Sequence, residues 1–180
     1  VSVSGTYSTP SGSGGAVYSR RSSPTLRYNI VSDNYVSGYA NSYARGGAFY
    51  FYYGAPVLIN NTVTGNSAES STTGVYSIVE GGGIFIYQSD VTLANNIFWN
   101  DAPQEIFDSN QSPSSTITVA HSDVSGGQAG IVTNDGTTVN WQTGNLDADP
   151  LFVDPSAGDF QLQADSPAVD AGTAYFEWNG

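Results

Sequence analysis

An internal repeat constrains the fold of this chain more than any other feature of its sequence. Segments 14–34, 46–66 and 81–101 align without gaps, at offsets of 32 and 35 residues, and each begins with a glycine pair. All three carry a leucine and an asparagine at equivalent positions, namely Leu26, Leu58 and Leu93, and Asn29, Asn61 and Asn96. Repeats of this length predict a solenoid in which successive coils stack on one another.

Within each repeat, apolar residues recur with period two, as in Ile84 and Ile86, which predicts short strands with one buried face. Stacked coils pair their strands in parallel, so equivalent residues lie about 4.8 Å apart. The leucines should therefore form a core column, and the asparagines a ladder of side-chain hydrogen bonds at a turn. The glycine pair predicts a bend where a side chain would collide or where φ is positive.

The predicted fold class is all-β: a right-handed parallel β-helix of about five coils with an irregular C-terminal cap. A fourth coil is weaker, because residues 116–124 alternate strictly but lack the glycine pair. The coils should occupy residues 1–126, and residues 127–180 should hold the last coil and a cap rich in Asp and Pro. Residue 1 is either a mature N-terminus or a boundary inside a longer β-helix.

Composition excludes several classes of function. The chain has no Cys, a single His, four Arg, no Lys and a formal charge of −12. Such an acidic chain is repelled by nucleic acids and anionic lipid, and no apolar run approaches the roughly 20 residues of a membrane helix. Thiolate and multi-histidine metal sites are also excluded. The polar, lysine-free composition favours an extracellular or cell-surface location.

Three stretches carry a resemblance to a known class of proteins. The coil GGGIFIY–VTLANNIFWN, the turn ITVAHSDVSGG and the tail DADPLFVDPSAGDFQLQADSPAVDAGT resemble secreted bacterial right-handed parallel β-helix proteins. These are the pectate-lyase-like and polymorphic-outer-membrane-protein-like repeat families. The resemblance implies the fold and the compartment, but no catalytic residue, because these families hold both polysaccharide enzymes and non-catalytic surface proteins.

The acidic residues give little support to an enzyme. Hydrolysis of a glycosidic bond needs two facing carboxyls, and no pair of acids occupies equivalent outward strand positions in neighbouring coils. We therefore predict no catalytic residue. Asp147, Asp149 and Asp154 are weak candidates for calcium ligands, with turn formation as the alternative, and no cofactor is otherwise expected.

Aromatic residues align at outward strand positions and form the main candidate contact surface. One predicted column contains Tyr18, Tyr50 and Phe85, and the next contains Arg20, Tyr52 and Tyr87. Exposed aromatics at strand spacing can stack on sugar rings or pack against another subunit. The alternative is stacking between coils that only stiffens the sheet. Two sequons, at Asn60 and Asn110, are candidate glycosylation sites.

Charge is distributed unevenly along the chain. Residues 1–50 carry a net charge of +3 and residues 51–180 a net charge of −15, which together give the formal −12. In a solenoid this predicts a basic and an acidic end, and hence head-to-tail contacts through the four arginines, Arg20, Arg21, Arg27 and Arg45. The alternative partner is the preceding coils of a longer chain.

The sequence therefore predicts an extracellular, non-catalytic structural β-helix module, either a self-assembling fibre subunit or part of a larger surface or adhesion protein. The alternative function is a β-helix that binds or cleaves polysaccharide. The two differ in whether the aromatic columns are covered or stand exposed in a groove.

Overall fold

A computed structural model describes residues 11–39, 41–70, 77–109, 114–134 and 136–176, which wind into five stacked coils. Coil 1 contains β1 (Gly12–Ser13), β2 (Val17–Arg20), β3 (Thr25–Arg27), β4 (Ile30–Ser32) and β5 (Tyr35–Gly38). Coil 2 contains β6 (Tyr43–Arg45), β7 (Phe49–Gly54), β8 (Val57–Ile59), β9 (Thr62–Thr64) and β10 (Ser67–Ser70). Coil 3 contains β11 (Ile78–Glu80), β12 (Ile84–Ala94) and β13 (Ile97–Trp99).

The last two coils are shorter. Coil 4 contains β14 (Ile106–Asp108), β15 (Thr116–Ala120) and β16 (Asp123–Val124). Coil 5 contains a 3₁₀ turn (Gly127–Gly130), β17 (Ile131–Thr133) and β18 (Thr138–Trp141). The tail that follows contains β19 (Phe152–Asp154), a 3₁₀ turn (Pro155–Ala157) and β20 (Asp159–Leu162).

Three parallel sheets form the faces of the solenoid. Face 1 stacks β2, β7, the first half of β12, β14 and β17. Face 2 stacks β3, β8, the second half of β12, β15 and β18. Face 3 stacks β4, β9, β13 and β16. The predicted parallel β-helix is confirmed.

The leucine column lies in the core, as the alignment predicts. Leu26 pairs in register with Leu58, and Leu58 with Leu93. The column continues through Val119 to Trp141 in the coils that lack a leucine. Leu58 and Leu93 are fully buried. Each inward strand position thus contributes one column of apolar side chains to the core, and stacking the coils removes the apolar surface of these side chains from water.

A left-handed residue followed by an inward polar residue makes each corner between faces 2 and 3. The left-handed residues are Tyr28, Asn60, Asn95, His121 and Gly144. The polar residues that follow them form one ladder of Asn29, Asn61, Asn96, Ser122 and Asn145. The asparagine ladder is thus confirmed, and it continues for two coils beyond the aligned repeats. Its hydrogen bonds satisfy backbone groups that a buried corner would otherwise leave unpaired.

The glycine pair has two separate roles. Gly14, Gly46 and Gly81 have φ of 66°, 69° and 64°, a region that L side chains rarely adopt. The second glycine of each pair allows close approach instead, because a Cβ on Gly47 would overlap the Gly82 carbonyl oxygen of the next coil. Both predicted reasons for glycine therefore apply, one to each member of the pair.

Coils 1–3 carry a lateral projection, which we call the wing. It consists of the β5–β10 sheet and the β1–β6–β11 sheet. Val36, Ala44 and Ala68 are buried in a small cluster of their own, against which Val79 packs. The wing positions Arg45, the last residue of β6, beside face 1.

The tail lies against the side of the solenoid. Its two strands pair antiparallel, and Phe152 packs edge-on against Phe160. Farther along, Thr173 exchanges two hydrogen bonds with the Asn95 side chain, at 2.8 and 2.9 Å. The tail thus fastens back onto the corner of coil 3. In the described ranges, no helix is long and apolar enough to cross a membrane.

Candidate functional site

The outward surface of face 1 carries a continuous stack of aromatic rings. Ring centroids are 5.1 Å apart from Tyr18 to Tyr50, 4.7 Å from Tyr50 to Phe85 and 5.9 Å from Phe85 to Phe107. The structure therefore brings Tyr18, Tyr50 and Phe85 together as the alignment predicts, and it adds Phe107 from coil 4. Parallel pairing places the rings at stacking distance because every coil presents the same outward position.

Most of this first column is covered. Tyr18 is 52% exposed, but Tyr50, Phe85 and Phe107 are 8%, 0% and 9% exposed. The Arg45 guanidinium lies 4.7 Å from the centre of the Phe85 ring and 4.1 Å from that of Tyr43, and it pairs with Glu80 at 2.7 Å. Burial raises the pKa of Tyr50 to about 12, so its phenol stays neutral. From Tyr50 to Phe107, the column stiffens the sheet and offers almost no ring surface to a ligand.

The second column remains accessible. Tyr52 and Tyr87 stack at 4.7 Å and are half-buried, while the Arg20 guanidinium lies 5.4 Å from the Tyr52 ring centre. Tyr53 packs edge-on against Tyr52 and Tyr87, at 4.5 and 5.8 Å. We call these residues, together with Arg21, the tyrosine face.

Backbone geometry places two members of the tyrosine face. Arg21 and Tyr53 occupy the left-handed corner between faces 1 and 2, with φ of 52° and 56°. This conformation brings the Tyr53 ring beside the outward column rather than into the core. The Arg21 guanidinium lies 6.0 Å from the Tyr53 ring centre. The result is a surface of three aromatic rings flanked by two cations on adjacent coils.

The four arginines do not gather in one place. Arg20 and Arg21 stack over tyrosines of the next coil on face 1. Arg45 lies between the wing and face 1, paired with Glu80. Arg27 is exposed at the end of β3. Three of the residues predicted for end-to-end contact are therefore engaged along the side of the solenoid.

Four acidic side chains are buried in coils 3 and 4: Asp101, Glu105, Asp108 and Asp123. Burial raises the pKa of each of them. Asp108 accepts hydrogen bonds from Ser115 and Thr137. Asp123 accepts one from the Ala148 N–H, and its pKa reaches about 6 through burial and, secondarily, the charges of Asp147 and Asp149.

The candidate calcium ligands each accept a backbone hydrogen bond: Asp149 and Asp154 within their own turns, and Asp147 from a residue 21 positions earlier in the chain. Asp147 accepts a hydrogen bond from the Gly126 N–H, and Asp149 accepts one from the Leu151 N–H. Asp154 caps the second 3₁₀ turn, where bonds from Ser156 and Ala157 lower its pKa. Within the described ranges, no three acidic or histidine side chains are grouped as metal ligands.

The remaining predicted positions are at corners or outside the described residues. Asn60 is the left-handed residue beside the ladder and is half-buried. Asn110 lies outside the described residues. His121 is a corner residue too, and with Asp123 it lines a cleft of about 200 Å³ between the solenoid and the tail.

A second ladder, at the corner after face 3, was not assigned from the sequence. It links Asn34, Asn66 and Asp101, the last residues of the three aligned repeats. The signal was present in the alignment, which shows Asn, Asn and Asp at one position. The ladder is buried, and its end on a carboxylate places a titratable group inside the fold.

Comparison with known proteins agrees with this architecture. The model of a family described as right-handed β-helix region matches residues 3–146, most of the chain, so the chain belongs to the right-handed β-helix family. The searches of curated proteins and of solved structures find no match.

Proposed function

We propose that this chain is a non-catalytic structural β-helix module of an extracellular or cell-surface protein, joined to further β-helix coils through coil 1. The observation that carries the proposal is the incomplete burial of the core side chains in coil 1. Val17, Leu26 and Val31 are only partly buried, whereas their neighbours in coil 2, Phe49, Leu58 and Val63, are at most 1% exposed.

Backbone hydrogen bonding also supports the proposal that further coils join at coil 1. Among the described residues, β2, β3 and β4 each pair on one side only, with the strands of coil 2. A parallel edge that has no partner strand among the described residues, beside partly exposed apolar side chains, is a template for another coil. The added coil is supplied either by a second copy or by a longer chain.

Charge contributes orientation rather than affinity. Arg27 is exposed on β3 of coil 1, and the C-terminal part of the chain is strongly acidic. Such attraction is screened beyond about 8 Å at physiological salt, so it sets polarity and rate, and apolar contact and strand pairing supply the affinity. Arg27→Glu should therefore slow association and make it more sensitive to salt.

The first test is sedimentation velocity over a wide range of chain concentration. We expect the wild-type chain to associate as concentration rises, and Leu26→Glu to weaken association at least tenfold, about 1.4 kcal/mol, because it places a charge at the apolar end of the core column. Val153→Glu is the matched control, since Val153 is an exposed apolar residue of the tail. Circular dichroism establishes that each variant is folded. A chain that stays monomeric throughout would overturn association of copies and leave the preceding coils of a longer chain as the partner of coil 1.

The buried acids support the non-catalytic part of the proposal. A glycosidase needs two carboxyls that reach the scissile bond of a bound sugar. The Asp101 and Glu105 side chains are in hydrogen-bond contact, but each residue is only 6% exposed. Both carboxyls are thus shut off from a polymer lying on the surface.

A second candidate function is saccharide binding by the tyrosine face, favoured by the partly exposed rings of Tyr52, Tyr53 and Tyr87. Aromatic faces stack on the apolar faces of sugar rings, and the two flanking guanidinium groups suit hydroxyl or carboxylate substituents. Binding here leaves the structural role of coil 1 unchanged.

Calorimetric titration with neutral and acidic oligosaccharides tests this second function. We expect Tyr52→Ala and Tyr87→Ala each to weaken binding about tenfold or more, because each removes a stacking ring. Tyr28→Ala is the control, since Tyr28 is 77% exposed at a different corner. Equal affinity in all variants would exclude the tyrosine face. Release of new reducing ends, lost on mutation of one Asp, would contradict the absence of catalysis.

A further inference from the structure

The second ladder has a fixed hydrogen-bonding pattern. The backbone N–H and the Nδ2 of Asn34 both donate to Asn66 Oδ1, at 3.0 and 2.8 Å. The same two groups of Asn66 donate to Asp101 Oδ1, at 2.7 and 2.8 Å. Each asparagine side chain in the middle of the ladder therefore accepts through Oδ1 from the preceding coil and donates through Nδ2 to the following coil. Asn66 Nδ2 also donates to the carbonyls of Val31 and Thr64.

Asp101 breaks this pattern at the last rung. Its Oδ1 accepts from Asn66 like any other rung, and its backbone N–H donates to both carboxyl oxygens of Glu105, at 3.2 and 3.3 Å. Glu105 thus takes the acceptor place of a next rung. The atom of Asp101 that corresponds to a donating Nδ2 is Oδ2, which is buried and has no N–H or O–H donor in the described part of the chain.

A proton on this oxygen restores the pattern. In the other rungs an amide nitrogen donates from this place to acceptor oxygens. An ionised carboxylate oxygen cannot donate, so it would face those acceptors without a hydrogen bond, which is costly in a buried site. An O–H at that place donates to the Glu105 carboxyl as an amide would to the next rung. We infer that Asp101 and Glu105 are a proton-binding site that holds one shared proton at neutral pH and couples the stability of the solenoid to pH.

The electrostatics of the pair agree with its geometry. Burial raises the pKa of both carboxyls, to about 7 for Asp101 and about 9 for Glu105, and the charge of Asp101 raises the pKa of Glu105 further. Asn66 and Glu105 face Asp101, with the charge of Asp33 at longer range. Asp101 and the backbone of Asn100 face Glu105. The hydrogen bonds from Asn66 act in the opposite direction but are outweighed by burial.

The sign of the pH dependence follows from linkage. The folded chain keeps a proton that the unfolded chain loses near pH 4, so the folded state binds more protons between about pH 5 and pH 9. Stability should therefore fall as pH rises through this window. One bound proton corresponds to an increase of up to tenfold in the unfolding equilibrium constant per pH unit.

Asp101→Asn tests the inference, because it supplies the Nδ2 donor that the rung lacks. Compared with the wild type, we expect this variant to be more stable at pH 8 and to bind about one proton fewer on folding, measured by denaturant unfolding between pH 5 and 9. Glu69→Gln is the control, since it makes the same charge change at an exposed position of β10. Asp108 and Asp123 keep their own contributions in both variants.

Carbon-13 NMR of the carboxyl groups tests the same point in the wild-type chain. We expect Asp101 and Glu105 to titrate together, with one proton still bound to the pair at neutral pH. Two carboxyls that both ionise near pH 4 would overturn the inference. Parallel unfolding profiles of the wild type and Asp101→Asn, or a loss of stability in Asp101→Asn at pH 8, would overturn it as well.

Discussion

Replacing Leu58 by alanine should lower the free energy of unfolding by about 2–5 kcal/mol. Leu58 is fully buried and lies in register between Leu26 and Leu93, so its loss leaves a cavity in the middle of the core column. The paired strands of faces 1–3 limit collapse around that cavity, because the coils cannot move closer than strand spacing allows. Equilibrium unfolding in urea measures the change.

Leu26→Ala is the matched control for this prediction. Leu26 belongs to the same column and makes the same register contact, but it is only partly buried. Its truncation should therefore cost about 1 kcal/mol, since part of its surface is already in water. Equal losses for the two leucines would contradict the described end of the core at coil 1.

Replacing Asn61 by alanine should cost about 2–4 kcal/mol, because it removes a rung inside the buried ladder. The Asn61 side chain accepts from Asn29 and donates to Asn96 Oδ1 and to the carbonyls of Leu26 and Ile59. Alanine leaves these groups without a partner in a corner where Asn61 is 2% exposed.

Asn29→Ala makes the same chemical change at the exposed end of the ladder. The Asn29 side chain donates to Asn61 and to the Arg27 carbonyl, and water can replace these bonds because Asn29 is exposed. We expect a loss under about 1 kcal/mol, measured in the same urea titration. A small effect at Asn61 would show that the ladder contributes register but little stability.

The repeat predicted the parts of the fold that depend on residue identity at equivalent positions. Leu26, Leu58 and Leu93 form the predicted column, and the asparagine ladder lies at the predicted turn. Alignment by identity stopped at coil 3 because later coils use other residues for the same task. Ser122 replaces an asparagine in the ladder, and Val119 replaces a leucine in the core.

Contacts between segments that are distant along the chain could not be predicted from the sequence. The tail meets coil 3 through Asn95 and Thr173, which are 78 residues apart and follow no repeat. Likewise, the distribution of charge along the chain shows which coil an arginine belongs to, but not in which direction its side chain points. Arg45 lies across the Phe85 ring because the wing turns it toward face 1.

The aromatic columns show how far the site was predictable. Alignment placed Tyr50 and Phe85 in one column and Tyr52 and Tyr87 in the next, and both columns form. Which column is covered depends on the wing, whose strands lie outside the aligned segments. The accessible surface therefore shifts to Tyr52, Tyr87 and the unaligned corner residue Tyr53.

Electron microscopy of the concentrated chain is the most direct test of a structural module that joins further coils through coil 1. Five coils stack to only about 25 Å, so end-to-end association is visible as particles longer than one chain. The account predicts elongated particles for the wild type and short ones for Leu26→Glu. Short, single particles of the wild type at the highest concentration would contradict association of copies through coil 1.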